Sequence, residues 1–432
     1  MFVADCLQVN QEGHLCIEEQ DTLELAAKYG TPLYVMSETQ IRKNCQRYRD
    51  SLKRFYDGNG LALYASKAFC CKEICRIAAE EGMGLDVVSG GELYTAISAG
   101  VSPEKIYFHG NNKTAPELVA ALEHKVGTIV VDNLEELEML DRLAGAKNMR
   151  QEIMLRVKPG VDAHTHNFIR TGQIDSKFGF ALETGEAMAA VKEAVGRSNV
   201  VLTGLHCHIG SQIFDTEPFL LTARIMIGFL AQIRQQTGCE LQKLNLGGGF
   251  GIQYTPEQDP PAYETYMERV SSVIHEICGQ LEFPTPYILM EPGRSIVGPA
   301  GITLYTVGAV KEIPGIRTYV SVDGGMTDNP RYALYQSEYQ IMNAGLALQE
   351  KTMRVTLAGR CCESGDLIGE NLPVQHLEKG DIVAVLSTGA YNYSMASHYN
   401  RMPNPPVVMI KGDKDRVIVR RETWEDLARL DV

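Results

Sequence analysis

Between Leu61 and Met290, short runs of β-branched and aromatic residues alternate eight times with longer stretches of helical period, and nothing else in the sequence restricts the fold as tightly. The strand-like runs are Leu61 to Ala65, Leu85 to Val88, Lys105 to Phe108, Thr128 to Val131, Glu152 to Val157, Val201 to Leu205, Leu241 to Leu246 and Tyr287 to Met290. Helix starts fall between them. Ser89 with Glu92 and Thr114 with Glu117 have capping-box spacing, and Asn133 precedes the run Leu134 to Leu143. Pro116 sits in a first helical turn, where its missing N–H would have been unpaired anyway. Eight β/α repeats in about 230 residues fit a closed (β/α)8 TIM barrel. An open, doubly wound α/β sheet would show the same periodicity.

Past Gly301 the helical period gives way to β-rich runs: Ile302 to Ile313, Tyr319 to Val322, Met353 to Leu357, Ile382 to Leu386 and Val407 to Ile410. Gly412-Asp413 marks a hairpin turn into Val417 to Val419. Short strand-like pieces at Val9, Leu15 to Ile17 and Leu33 to Val35 precede a helix capped by Ser37 and are expected to join the same β domain. The predicted organisation is therefore a barrel over residues 36–290 and a discontinuous all-β domain made of residues 1–35 and 291–432. Lys158 to Phe180 holds Pro159, three glycines and two histidines without a sustained period, and a loop of that length inside a barrel tends to be functional.

Composition narrows the partners. A net charge of -13 over 432 residues, with no long Lys/Arg run, repels phosphate backbones and argues against nucleic acid. The apolar stretch Phe219 to Ile233 is broken by Arg224 and falls short of the roughly 20 residues that span a bilayer. No signal-peptide pattern opens the chain, and eleven cysteines without C-x-x-C spacing suit reduced thiols, so a cytoplasmic protein is expected.

Barrel active sites lie on the loops that follow the strands. Here those positions carry Ser66-Lys67, Asp86, His109 with Asn111 and Asn112, Asp132, His206 and His208, Gly247-Gly248-Gly249, and Glu291-Pro-Gly-Arg294. Consecutive glycines let a backbone close on an anion and aim N–H groups at it, although the same run would also serve as a hinge. Lys67 follows an apolar run; near other cations its amine would be neutral enough to attack an aldehyde, while taken alone it reads as a solvated loop charge. His164-x-His166 and His206-x-His208 suggest metal ligation, but no Cys or carboxylate stands at suitable spacing as a third ligand, so no metal is expected. Cys361-Cys362 could be buried small hydrophobes, yet Cys362-Glu363-Ser364-Gly365-Asp366 is unusually polar for a core.

Nine motifs, taken together, resemble the diaminopimelate decarboxylases within the alanine-racemase-like, fold-type III enzymes, over about Tyr34 to Tyr399: Tyr64-Ala-Ser-Lys-Ala-Phe69, Leu85-Asp-Val-Val-Ser-Gly-Gly-Glu92, His109-Gly-Asn-Asn-Lys113, Gly204-Leu-His-Cys-His-Ile-Gly-Ser-Gln212, Gly247-Gly-Gly-Phe250, Glu291-Pro-Gly-Arg294, Asp323-Gly-Gly-Met326, Cys362-Glu-Ser-Gly-Asp366 and Gly389-Ala-Tyr391. His164-Thr-His166, Thr171-Gly172 and Lys177-Phe-Gly179 resemble the diaminopimelate branch rather than the ornithine or arginine one.

The resemblance implies pyridoxal 5'-phosphate held covalently by Lys67, with His208 on its ring face, Asp86 close behind that histidine and Glu291 at the pyridine nitrogen. It implies phosphate contacts from Ser211, Gly248, Gly249 and Tyr391, with the turn through Gly293 and Arg294 adding donors. Arg294, Arg331, Tyr335 and Tyr391 would grip the distal carboxylate of an amino-acid substrate, Glu363 its distal ammonium, and Cys362 would be the acid. A homodimer with shared active sites is implied as well. The resemblance leaves two other readings: a relative acting on ornithine, arginine or carboxynorspermidine, and a non-catalytic homologue, which would have no use for both Lys67 and Cys362.

Overall fold

In the computed structural model, which describes residues 2–162 and 175–432, the eight anticipated strands are present and parallel. They are β1 (Gly60–Ala65), β2 (Gly84–Val87), β3 (Ile106–Phe108), β4 (Thr128–Val131), β5 (Gln151–Lys158), β6 (Val200–His206), β7 (Lys243–Asn245) and β8 (Tyr287–Met290). Each pairs with the next, and β8 returns to β1 through Ile288–Gly60, Leu289–Leu61 and Met290–Ala62, so the sheet closes on itself and the doubly wound alternative is excluded. A two-residue strand, Phe180–Ala181, adds to β5. Leu63, Tyr107, Val130, Met154 and Leu289 fill the barrel interior. Such an inside is a packed core and leaves chemistry to the rim.

The capping residues act as their chemistry dictates. Ser37 Oγ accepts from Gln40 N at 3.0 Å, Ser89 Oγ from Glu92 N at 3.2 Å and Asn133 Oδ1 from Glu136 N at 2.8 Å. Thr114 and Glu117 form a complete reciprocal box, whereas the Glu92 carboxylate accepts from Val88 N rather than from Ser89.

By compactness the chain divides into Asn44–Gly251 with Pro260–Gly293, the barrel unit, and Met1–Lys43 with Ile252–Asp259 and Arg294–Val432, the mostly-sheet unit. The excursion 252–259 belongs to the second because Ile252 and Tyr254 are buried in its core with Tyr305, Val320, Leu357 and Val385. Its main sheet is organised by the 13-residue strand Gly301–Ile313. The first half of that strand pairs with Leu33–Ser37 on one side and Ile382–Val385 on the other, and the second half pairs with Arg317–Val322.

The strand-like pieces near the start belong to this unit, Leu7–Val9, Leu15–Ile17 and Gln20–Asp21 as a three-stranded sheet of their own and Leu33–Ser37 as part of the large one. One expectation is corrected: the unit is not purely β. It contains helices Thr22–Tyr29, Arg331–Tyr335 and Trp424–Ala428, the last capped by Thr423 and Asp426.

Candidate active site

Four polar side chains converge at the carboxyl ends of the barrel strands. Glu291, the residue after β8, is buried, and its Oε1 accepts from Asn245 Nδ2, at the end of β7, at 2.6 Å. His109 Nε2, just past β3, lies 2.8 Å from the same oxygen, and His206 Nε2, the last position of β6, lies 3.2 Å from Oε2. Burial alone would push the Glu291 carboxyl up, but the electrostatic attraction and hydrogen bonding of the His109 and His206 imidazoles outweigh it and hold it well below the usual carboxylate range. The group is an ionised carboxylate inside a protein core.

Around it the charges alternate. Asp86 Oδ1 is 3.8 Å from His109 Nε2. Burial pushes the Asp86 carboxyl up, against the pull of His109. Arg156, on β5, places its Nε 3.9 Å from Asp132 Oδ1 and its guanidinium over the ring of Phe178 at 4.1 Å. Asp132 also accepts from Gly179 N at 2.8 Å, which fastens residues 177–179 to the rim.

Lys67 occupies a single 3-10 turn, Ser66–Ala68, directly after β1. The turn is fixed from both sides: Tyr64 Oη donates to the Phe69 carbonyl at 2.8 Å, and Ala65 N donates to the Pro292 carbonyl at 3.1 Å. Gly293 packs there without a side chain, since a Cβ would lie 3.0 Å from Ala65 and Ala68. The lysine is exposed while Ser66, Ala68 and Phe69 are buried, and its charge acts on Asp86, Glu92 and His208. The wall beside the lysine is apolar, the side chain reaches water, and Asp86 and Glu92 are among its electrostatic neighbours.

His208 is buried past the end of β6, and burial together with Lys67 and Arg156 holds its imidazole well below the usual range, hence neutral. Gly248 N donates to its Nδ1 at 3.3 Å. Gly248 must be glycine, because a Cβ there would meet the Glu291 carbonyl oxygen at 2.1 Å. Ser211 stands on the neighbouring loop, which is zipped to the glycine loop by Ile213 N to Gly249 O at 2.9 Å and Gly251 N to Ile213 O at 3.1 Å. His206 and His208 do not share a strand face, since β6 ends at His206. Folding brings to His206 a carboxylate that no sequence spacing offers. Ligand atoms of His109, His206 and Glu291 lie within 4.8 Å of one another, a convergence invisible in sequence spacing.

In the mostly-sheet unit Arg294, Arg331, Tyr335 and Tyr391 form a second cluster around Tyr254. The Arg294 guanidinium lies 4.6 Å from the Tyr391 ring centre and donates to Tyr254 Oη. Arg331 lies 5.6 to 5.8 Å from the rings of Tyr335, Tyr391 and Tyr254. Burial pulls the Arg331 guanidinium down, but Tyr254, Tyr339 and Tyr391 outweigh it. Its electrostatic neighbours are phenols rather than acids, which suits it to receive a carboxylate. Tyr391 adopts a left-handed backbone with φ of 62°, the strained kind of position that gathers at functional sites. Cys362 to Gly365 form an exposed turn held by Asp366, whose carboxylate accepts from the N–H groups of Met326 and Cys361; Cys362 N donates to Asn400 at 2.7 Å.

Asn245, Arg156 and Glu92 escaped the sequence reading as site residues. The first two sit in strands that carry other polar residues as well, so nothing in the sequence marks them, and Glu92 was absorbed as a capping residue. His164, His166, Thr171 and Gly172 lie outside the described residues.

The residues fit a flat cationic heterocycle bearing a phosphate: an ionised buried carboxylate, a neutral imidazole beside a glycine loop, and an amine at the rim. Residues 38–298 match the family model described as pyridoxal-dependent decarboxylase, pyridoxal binding domain. Barrel, site and match together define a pyridoxal-phosphate-dependent amino-acid decarboxylase, a carboxy-lyase. The chain is 47% identical over 435 residues to the diaminopimelate decarboxylase of Bacillus subtilis strain 168, covering 100% of this chain and 98% of that one, and 42% identical to that of Mycobacterium tuberculosis H37Rv, covering 98% and 96%. The crystal structure of diaminopimelate decarboxylase from M. jannaschii in co-complex with L-lysine superposes with a TM-score of 0.92 at 36% identity, covering 100% and 99%. The chain belongs to the diaminopimelate decarboxylase family.

Proposed function

We propose that the protein removes the carboxylate from the D-configured centre of meso-2,6-diaminopimelate, yielding L-lysine and carbon dioxide, the last step of lysine biosynthesis. The observation that carries the reading is Glu291, a buried carboxylate hydrogen-bonded by Asn245 and His206 and paired with His109 at 2.8 Å, in a chain that matches this family over its full length. Bound pyridoxal phosphate supplies the electron sink for the breaking Cα–CO2 bond. Glu291 would keep the pyridine nitrogen protonated, His208 would pack against the ring, and Lys67 would hold the cofactor covalently. Asp86 balances the charge of His109, and Ser211, Gly248, Gly249, Gly293, Arg294 and Tyr391 hold the phosphate.

Arg294 and Arg331, with Tyr335 and Tyr391, hold the distal carboxylate, and Glu363 pairs with the distal ammonium. Cys362 delivers the proton to the carbon that has lost carbon dioxide. Cys362 and Glu363 are exposed on their turn, which supports a homodimer in which they complete the partner's site. The cysteines form no disulfide among the described residues, which favours a reducing cytoplasm.

An ornithine or arginine decarboxylase would leave the Arg331 guanidinium without an anion to bind. Carbon dioxide release and product chirality measured on meso-diaminopimelate, its LL isomer, ornithine and arginine, with and without added pyridoxal phosphate, separate these readings. L-lysine from the meso isomer alone is expected; release only from ornithine or arginine would overturn the assignment.

A further inference from the structure

The two imidazoles on Glu291 do not have equivalent surroundings. An ionised carboxylate offers about four lone-pair positions. Asn245 Nδ2 donates to Oε1 and His206 Nε2 meets Oε2 at 3.2 Å, while His109 Nε2 stands 2.8 Å from Oε1 as a close ion pair without hydrogen-bond alignment, which leaves one lone pair on Oε2. His109 stands between two acids, Glu291 at 2.8 Å and Asp86 at 3.8 Å. His206 meets only Glu291, and its other nitrogen, Nδ1, is buried without a hydrogen-bond partner. A second N–H on that ring would be a buried unpaired donor, so His206 belongs in the neutral tautomer with the proton on Nε2. The rings meet edge to face, with centres 4.7 Å apart and planes at 69°, a contact that would set two positive charges against each other if both were protonated.

We propose that His109 as an imidazolium, and His206 as a neutral N–H donor, act with Asn245 as positioning residues that fix Glu291 ionised, with one lone pair reserved for the ring nitrogen of the cofactor. This rests on the pyridoxal-phosphate reading above. The electrostatics agree. Burial pulls both imidazoles down; at His206 it prevails, to about 4, whereas at His109 the attraction of Asp86 and Glu291 outweighs it and leaves the group raised. Other titratable groups acting on His109 or Glu291 include Arg156, His206, His208, Cys207 and Glu92. The charge on Glu291 is thus balanced by one specific histidine.

The roles predict an asymmetry. A glutamine side chain reaches about as far as imidazole Nε2 and donates an N–H, but it carries no charge. It should replace His206 and fail to replace His109. The test loads wild type, His206→Gln, His206→Ala and His109→Gln with pyridoxal phosphate labelled with 15N in the ring, and follows the ring-nitrogen shift with pH alongside cofactor affinity of the apoprotein. Wild type and His206→Gln should keep the ring nitrogen protonated and bind within about threefold of each other, whereas His206→Ala and His109→Gln should lose protonation at lower pH and bind about 10- to 100-fold more weakly, the range for a hydrogen bond to a charged group. Equal behaviour of His109→Gln and His206→Gln, whether both intact or both impaired, overturns the proposal.

Histidine-labelled wild-type protein decides the same question without any substitution. Near neutral pH, imidazole nitrogen shifts should report His109 doubly protonated and His206 protonated on Nε2 alone, and the reverse assignment contradicts the proposal. Wild type that takes up no pyridoxal phosphate would sink the reading of the site, and the imidazole shifts would still decide this assignment.

Discussion

Lys113 Nζ lies 2.7 Å from Glu136 Oε1, with the two side chains only 1% and 2% exposed. The ammonium also donates to the carbonyls of Val130 and Gly110, at 2.7 and 2.8 Å, so its three protons are all used. This ties the loop that starts at His109 to β4 and to the helix Leu134–Ala146. Burial pulls the Lys113 ammonium down and Glu136 resists it. Lys113→Met should destabilise the protein by about 3 kcal/mol, because it leaves a buried carboxylate uncompensated, while Lys113→Met with Glu136→Leu should recover most of that loss. Urea unfolding of the three proteins checks it; a double variant no better than the single one refutes the pairing.

Glu291→Gln replaces an ionised acceptor by a neutral amide whose NH2 faces donors on every side. Turnover should fall on the order of 10²-fold while the protein still takes up cofactor, since what is lost is a charge directed at the reacting ring and not the cradle. Steady-state kinetics beside the visible absorbance of bound cofactor measure both. Unchanged kcat would mean that the carboxylate has no electronic role.

A second acid gives a pH signature. Burial would raise the Glu38 carboxyl, but Arg42 at 2.7 Å, Arg416, and Lys411 at 3.0 Å outweigh it and hold it at about 2, below its ordinary 4.5. The unfolded chain therefore takes up the proton first. The stabilisation is complete above about pH 4.5 and is lost as pH falls toward 2, a change on the order of 3 kcal/mol. Glu38→Gln should flatten the stability profile across that window; an equally steep acid limb in the variant would assign it to other groups.

Shared sites have a genetic-style test. Lys67→Ala and Glu363→Ala homodimers should each be nearly inactive, whereas co-refolding equal amounts should restore roughly a quarter of wild-type activity, because half the dimers are mixed and each holds one intact site. A mixture as inactive as its components, with subunit exchange verified by tags, would place each site within one chain.

The barrel was legible because its strands are apolar runs between turn signals; Thr128–Val131 and Tyr287–Met290 begin and end where the sequence reading put them. Leu367–Val374 went unseen because Gly369, Asn371 and Pro373 interrupt its pattern, and Ile341–Asn343 is too short to show a period. Lys67, His208 and Glu291 stood out by falling just past strands. What joins Glu291 to His109, His206 and Asn245 is ring closure, which brings β3 and β6 to β8 over long sequence separations and has no local signature. The excursion 252–259 into the other unit was hidden for the same reason.

The most direct test of a cofactor seated on Lys67 is borohydride reduction of the purified protein, then digestion and mass spectrometry of its peptides. A pyridoxyl group on the peptide containing Lys67, with loss of activity in proportion to labelling, is the predicted result; modification of any other lysine, or none, would contradict it.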